Sequence, residues 1–168
     1  MENKIYKMAK DFEKRFPGTI SWRLKQHADL AQKLINNDEE ILYAFACQKA
    51  PNSFNIFSTF MFVLTDKRIV LAQKRLLYGY FYYSITPDMF NDLTLRMGLI
   101  WGKAIIDTVR EQVYLSNLSG GALREIETVL TKYMMQKKRQ LELGDDKGDE
   151  GIKKMEKEIK EISKSGEK

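Results

Sequence analysis

Two pairs of cations stand out in the stretch FVLTDKRIVLAQKRLLYG: Lys67-Arg68 and Lys74-Arg75. A guanidinium fork and an ammonium group both suit a phosphate or carboxylate, so all four residues are candidate contacts for an anion or an acidic partner. The run between the pairs has the composition of a strand. A strand rises about 3.3 Å per residue, which puts the pairs about 20 Å apart, too far to clasp one phosphate. Thr65-Asp66-Lys67-Arg68 also reads as a hairpin turn, with Asp66 capping the turn amides and the cations facing water. Just beyond lies the densest aromatic run, Tyr78 and Tyr80 to Tyr83. Strand alternation sends Tyr80 and Tyr82 to one face and Phe81 and Tyr83 to the other. One of these sets should enter the core and the other remain exposed. Tyr80 and Tyr82 are the candidate contact residues, offering an apolar ring and a hydroxyl together.

Catalytic and metal chemistry find little support. His27 is the single histidine and Cys47 the single cysteine. One histidine makes neither a proton shuttle nor a His-rich metal site, and Cys47 ends an apolar run without a neighbour that would activate a thiolate. Both are expected to be structural. Ser119-Gly120-Gly121 precedes a helical stretch but lacks the longer glycine loop and following Lys-Ser/Thr of a phosphate cradle. Asp145, Asp146, Asp149 and Glu150 miss the spacing of a calcium loop and read as a solvated linker. No enzyme activity, metal or cofactor is expected.

The elements that would carry these residues follow from periodicity. Residues 3–15 are rich in Lys, Glu and Ala and read as helix, broken by Pro17-Gly18. Ile20, Leu24, Ala28, Ala31, Leu34 and Ile35 recur at steps of three and four, one face of a second helix. Runs rich in aromatic and β-branched residues follow at 41–47, 56–64, 69–73, 79–85, 93–97, 99–106 and 112–115. These predict about seven short strands, paired antiparallel because their connections are short. Ser119 is positioned to cap a helix bearing Ala122, Ile126, Val129, Tyr133 and Met134 on one face, fraying near Gly144. Ile152, Met155, Ile159 and Ile162 then make two heptads of an apolar seam, a candidate site for a partner helix. The tail after Ser163 is expected to lack order.

Several segments of this order resemble the bacterial PH-like domain families, including the YokE-like PH domain group. They are DEEILYAFACQ in the first strand, FVLTDKRIVLAQ across the second and third, and YYSITPDMF leading into the fifth. GLIWGKAIID in the sixth and VYLSNLSGGALREIETVL joining the last strand to the helix complete the set. The T-[DN]-x-R turn is the most specific piece. The resemblance implies an α+β fold: a PH-like barrel of about seven antiparallel strands capped by a C-terminal helix and preceded by N-terminal helices. It divides the chain into a helical extension over 1–37, a PH-like domain over 38–143 and a charged tail with a short amphipathic helix over 144–168. Eukaryotic PH domains that bind phosphoinositides carry basic residues in the first hairpin and second strand, whereas NSFNIFSTFMFVL has none.

The chain of 168 residues carries a net charge of +5, too small an excess to indicate nucleic acid. One cysteine fits a reducing cytoplasm, and no apolar run approaches the roughly 20 residues of a membrane span. The expected function is a non-catalytic cytoplasmic binding module acting through protein–protein contact or self-assembly. The alternative is a peripheral binder of anionic membrane lipids through its basic loop residues.

Overall fold

The computed structural model describes residues 3–19, 21–49, 56–143 and 148–165. Helices α1 (Lys4–Arg15) and α2 (Leu24–Leu34) precede strands β1 (Ile41–Gln48), β2 (Thr59–Thr65), β3 (Ile69–Lys74) and β4 (Tyr80–Ile85). Strands β5 (Phe90–Met97), β6 (Gly102–Thr108) and β7 (Gln112–Leu118) follow, then helices α3 (Gly120–Leu143) and α4 (Gly148–Ser165). The seven strands form one sheet in the order β4-β3-β2-β1-β7-β6-β5, every pair antiparallel. The sheet is not closed: β4 and β5 are its two edges. The expected barrel is therefore an open, bent sheet. Its two meanders join where Gln48 pairs with Ser116, and buried Gln48 is held there by the side chains of Asn117 and Thr59.

Strands β1 and β2 are apolar without alternation because both of their faces are covered. On one face Phe45, Phe60, Phe62, Leu64, Ile106 and Leu115 meet Ile126, Val129 and Tyr133 of α3. On the other face Ala44, Ala46, Met61, Val63 and Val70 meet Ile5 and Ala9 of α1 and Ala28 and Ala31 of α2. The small side chains of that second face let the helices approach closely. α1 reaches both cores: Phe12 stacks on Phe45 at a ring separation of 4.9 Å, and Phe45 on Phe62 at 4.6 Å. The helices before residue 38 thus form a layer on the sheet.

Local chemistry sets several boundaries. α1 starts where Asn3 accepts the Tyr6 amide. α2 begins at Leu24, later than the apolar stripe suggests, because Arg23 takes a left-handed conformation (φ 54°) that a helix cannot continue through. Ile20 lies outside the described residues. Ser119 accepts the Ala122 amide and opens α3, as its type and place predict. β6 starts at Gly102, not at Leu99: the Gly98 amide donates to the Trp101 carbonyl at 3.1 Å and closes a turn over residues expected to be strand. A side chain at Gly102 would lie 2.8 Å from the Arg96 backbone carbonyl of β5 and press on Leu123 of α3, so the close approach of the strands there requires glycine.

α4 continues to Ser165, past the point where order was expected to end. Its Met155 and Ile159 are buried in the core shared by the sheet and α3, with Ile162 half-buried beside them. Ile152 lies outside the described side chains. An ion pair between Lys132 and Glu158 at 3.2 Å ties α4 to α3.

Candidate binding surface

The turn that suggested an anion site is a structural clasp. Thr65 Oγ1 accepts the amides of Lys67 and Arg68 at 3.2 and 3.0 Å and bonds Glu39 at 2.9 Å. Asp66 exchanges two hydrogen bonds with the Glu40 backbone, at 2.7 and 2.9 Å. Arg68 donates through Nε and Nη2 to the carboxylate of Glu39, at 3.1 and 2.6 Å, and through Nη1 to the Tyr82 hydroxyl. Glu39 is buried, which pushes its carboxyl up, but the bonds from Arg68 and Thr65 outweigh burial and hold it below its ordinary value. Lys67 pairs with Asp38 at the surface. Of the expected contact residues, Lys67, Arg68 and Tyr82 are thus engaged within the molecule, at the opposite end of β3 from Lys74 and Arg75. The alternation of the tyrosine run matches the expectation: Tyr80 and Tyr82 are exposed, while Phe81 and Tyr83 pack on the core.

At the far end of β3 the chain presents something different. The amide of Arg75 bonds the Gly79 carbonyl, and Gly79 takes a positive φ of 73°, making a tight tip. That tip holds Leu76, Leu77 and Tyr78 in solvent; Leu77 is 81% and Tyr78 88% exposed. Lys74 and Arg75 stand exposed at its base. The β5–β6 turn repeats the pattern. Leu99 is fully exposed, Ile100 is 69% exposed, Trp101 lies beside them, and Arg96 is exposed on the strand below. Each tip therefore carries two aliphatic residues, one aromatic and adjacent cations.

The connection between α1 and α2 touches the β5–β6 tip, and the start of α2 reaches the base of the β3–β4 tip. The connection's Gly18 carbonyl accepts the indole N–H of Trp101 at 2.9 Å. Its Trp22 packs edge-on against Phe57 at 5.3 Å, and Gln73, next to Lys74, donates to the Phe57 carbonyl at 2.6 Å. One turn into α2, His27 Nδ1 accepts the backbone amide of Lys74 at 2.9 Å. Burial, with help from the nearby Arg23 charge, brings the His27 pKa down to about 4, so the ring stays neutral and acts as a tie between helix and strand.

Cys47 lies in the core under α3, on the other side of the sheet from the helix that carries His27. Burial pushes its thiol well above the ordinary value, which keeps it protonated and inert. Among the described residues no group of three His, Cys, Asp or Glu side chains could hold a metal ion, and no helix is long and apolar enough to cross a membrane.

Sequence reasoning passed over both tips. The signal was present as short apolar triplets, Leu76-Leu77-Tyr78 and Leu99-Ile100-Trp101, each bounded by glycine and near a cation.

An open antiparallel sheet of two meanders, with a helix after its last strand filling the bend, defines the PH-like class of domain. The chain belongs to the bacterial PH domain family, whose model matches residues 35–132. Domains of this family are in general non-catalytic binding modules. α1, α2 and α4 lie outside the matched span. In fold the chain is similar to the crystal structure of a pleckstrin homology domain from Shewanella amazonensis SB2B. That match has 15% identity and a TM-score of 0.45, covering 69% of this chain and 90% of that one. It is also similar to a DUF1696 family protein with a pleckstrin-homology domain from Shewanella loihica PV-4. There the identity is 15% and the TM-score 0.42, with 67% of this chain and 91% of that one covered. No curated protein matches the chain.

Proposed function

We propose that this protein is a non-catalytic module that docks on anionic membrane surfaces by inserting its β3–β4 and β5–β6 tips. The observation that carries this reading is the repeated make-up of the tips: two exposed aliphatic residues with Tyr78 or Trp101 next to them on the turn, and Lys74, Arg75 or Arg96 on the strands behind. That make-up suits a bilayer surface, where aliphatic groups favour the acyl region, Tyr and Trp the headgroup level, and cations the anionic phosphates. A protein partner would more often meet such residues in a flat, centrally buried patch than on two projecting turns.

Magnitudes support a two-tip mechanism. Burying a Leu or Ile side chain contributes about 1.5–3 kcal/mol, so each tip supplies about 3–6 kcal/mol. Each cation near an anionic surface adds about 1 kcal/mol. Association costs an estimated 4–15 kcal/mol, so one tip alone gives little binding and two together give a useful affinity.

Co-sedimentation of the full chain with vesicles tests this. Binding is expected to vesicles rich in phosphatidylserine or phosphatidylglycerol, to weaken with salt, and to fall at least tenfold in Leu77→Ser or Ile100→Ser variants. Failure to sediment with either anionic vesicle at low salt would remove the membrane reading and leave the tips as protein-docking elements.

A further inference from the structure

The two edges of the sheet differ. β5 is blunted in the usual ways. A bulge between Phe90 and Asp92 interrupts its pairing with β6, Asp92 and Arg96 are charged and exposed, and Leu93 and Leu95 pack on the core under α3. β4 has none of these devices. Tyr80 to Ile85 hold no charge and no proline, and they pair with β3 residue for residue without a bulge. The bond from the Arg75 amide to the Gly79 carbonyl sets the alternation along this ladder. Gly79, Phe81, Tyr83 and Ile85 turn their backbone groups to β3. Tyr80, Tyr82 and Ser84 turn theirs outward, where they meet no backbone partner among the described residues. Ser84 and Tyr82 stand opposite Val70 and Ala72, so this set lies on the sheet face that α2 packs against. Tyr80 is 53% and Tyr82 37% exposed. Arg68 reaches both the Tyr82 hydroxyl and the Leu34 carbonyl, which holds the open Tyr82 ring beside the end of α2.

We propose that β4 is the contact edge of a two-fold dimer, and that its occupant is β4 of a second copy of this chain. The strand is its own complement. With a two-fold axis at Tyr82 and antiparallel pairing, Tyr80 meets the partner's Ser84 and Tyr82 meets the partner's Tyr82. Every outward-facing residue then stands opposite an outward-facing residue, and both sheets present the same face to the same side. The ends complement each other in charge. Lys74 and Arg75 are exposed where β4 begins and Asp88 is exposed just past its end, so antiparallel pairing brings the cations of each copy toward the acid of the other. The uncharged middle matters as well: the chain carries a net charge of +5, and a charge-free seam lets two like-charged copies meet without opposing charges of one sign across it. α2 packs over β2 and β3, so joining two β4 edges leaves a trough between the two α2 helices that Tyr80 and Tyr82 of both copies fill. A foreign extended peptide would find the same backbone groups but no charge along β4 to read. The two β3–β4 tips point to opposite ends of the joined sheet, outside the paired residues, so the proposal stands independently of membrane docking.

Sedimentation velocity of the full chain over a range of concentrations, joined to disulfide trapping, tests the proposal. A monomer–dimer equilibrium is expected. Tyr80→Lys changes an exposed side chain and adds a cation to each half of the seam. It is expected to weaken the dimer at least tenfold and to leave the melting temperature of the dilute protein unchanged. Under mild oxidation Tyr82→Cys is expected to cross-link to itself, because a residue on the axis faces its counterpart at a Cα separation of about 5.5 Å, within disulfide reach. Tyr80→Cys, on the same face of the same strand, lies about 13 Å along the strand from its counterpart and is expected not to cross-link. Asp92→Cys on the other edge is expected not to either, and native Cys47 is buried away from the oxidant. Leu77→Ser with Ile100→Ser is expected to keep the dimer. A monomer at every concentration up to the millimolar range would overturn the proposal and leave the edge to a foreign strand. Full dimer strength in Tyr80→Lys, or cross-linking of Tyr82→Cys no faster than that of the two control cysteines, would also overturn it. So would loss of the dimer in the tip variant, by placing the contact on the tips.

Discussion

Arg68 occupies a position where an exposed arginine could serve a ligand, yet its guanidinium turns inward to a carboxylate whose side chain is 1% exposed. The pair joins the β2–β3 turn to the segment just before β1, across 29 residues of sequence. Removing the cation strands a buried negative charge, a change that costs about 3–5 kcal/mol where it has been isolated. Arg68→Ala is therefore expected to lower the urea unfolding free energy by about that amount, a large share of the 5–15 kcal/mol typical of a domain. Arg68→Ala with Glu39→Leu should recover part of it. A loss below about 1 kcal/mol in the single variant would show that water satisfies Glu39 and that the clasp is not structural. The turn itself was legible from Thr65 and Asp66, whose short side chains favour local backbone bonds. The partner was not, because Glu39 reaches the turn through sheet pairing that no local pattern encodes. The same limit hid the role of His27, whose ring is fixed by the amide of Lys74 on another element.

At the scale of elements, α4 shows what periodicity can and cannot say. The spacing of Met155, Ile159 and Ile162 declares one apolar face, and that face exists. What covers it is decided by packing: here it is the molecule's own core beneath α3 and β1, not a partner helix. The heptad face is thereby largely occupied within one chain. Met155 and Ile159 together bury two large side chains, contributing about 3–6 kcal/mol. A chain ending at Leu143 is expected to melt several degrees lower while keeping the same number of copies per particle by light scattering. Fewer copies per particle on deletion would mean that α4 joins copies instead of closing its own core. The sixth strand, expected from Leu99, begins instead at Gly102 for a related reason. Leu99, Ile100 and Trp101 have strand-like composition, and only the turn bond from Gly98 to Trp101 reveals them as a tip.

For the whole molecule, the order of helices, seven antiparallel strands and a closing helix could be read from apolar runs and turn residues. Those signals are local and strong. The unbroken apolar character of β1 and β2 was also visible, and two-sided burial explains it: the sheet lies between α1–α2 and α3–α4. The proposed function was less legible because the exposed triplets lie on hairpin turns whose apolar composition reads locally as strand. The α1–α2 connection holds the β5–β6 tip through Gly18, and α2 holds the base of the β3–β4 tip through His27. Trp101 offers a direct report on the β5–β6 tip. In a Trp22→Phe variant it is the only tryptophan, and its emission can be followed with anionic vesicles whose lipids carry bromine on the upper acyl chain. Docking by the tips predicts a blue shift and strong quenching that saturate with lipid. Unshifted, unquenched Trp101 at vesicle concentrations that sediment the protein would contradict tip insertion.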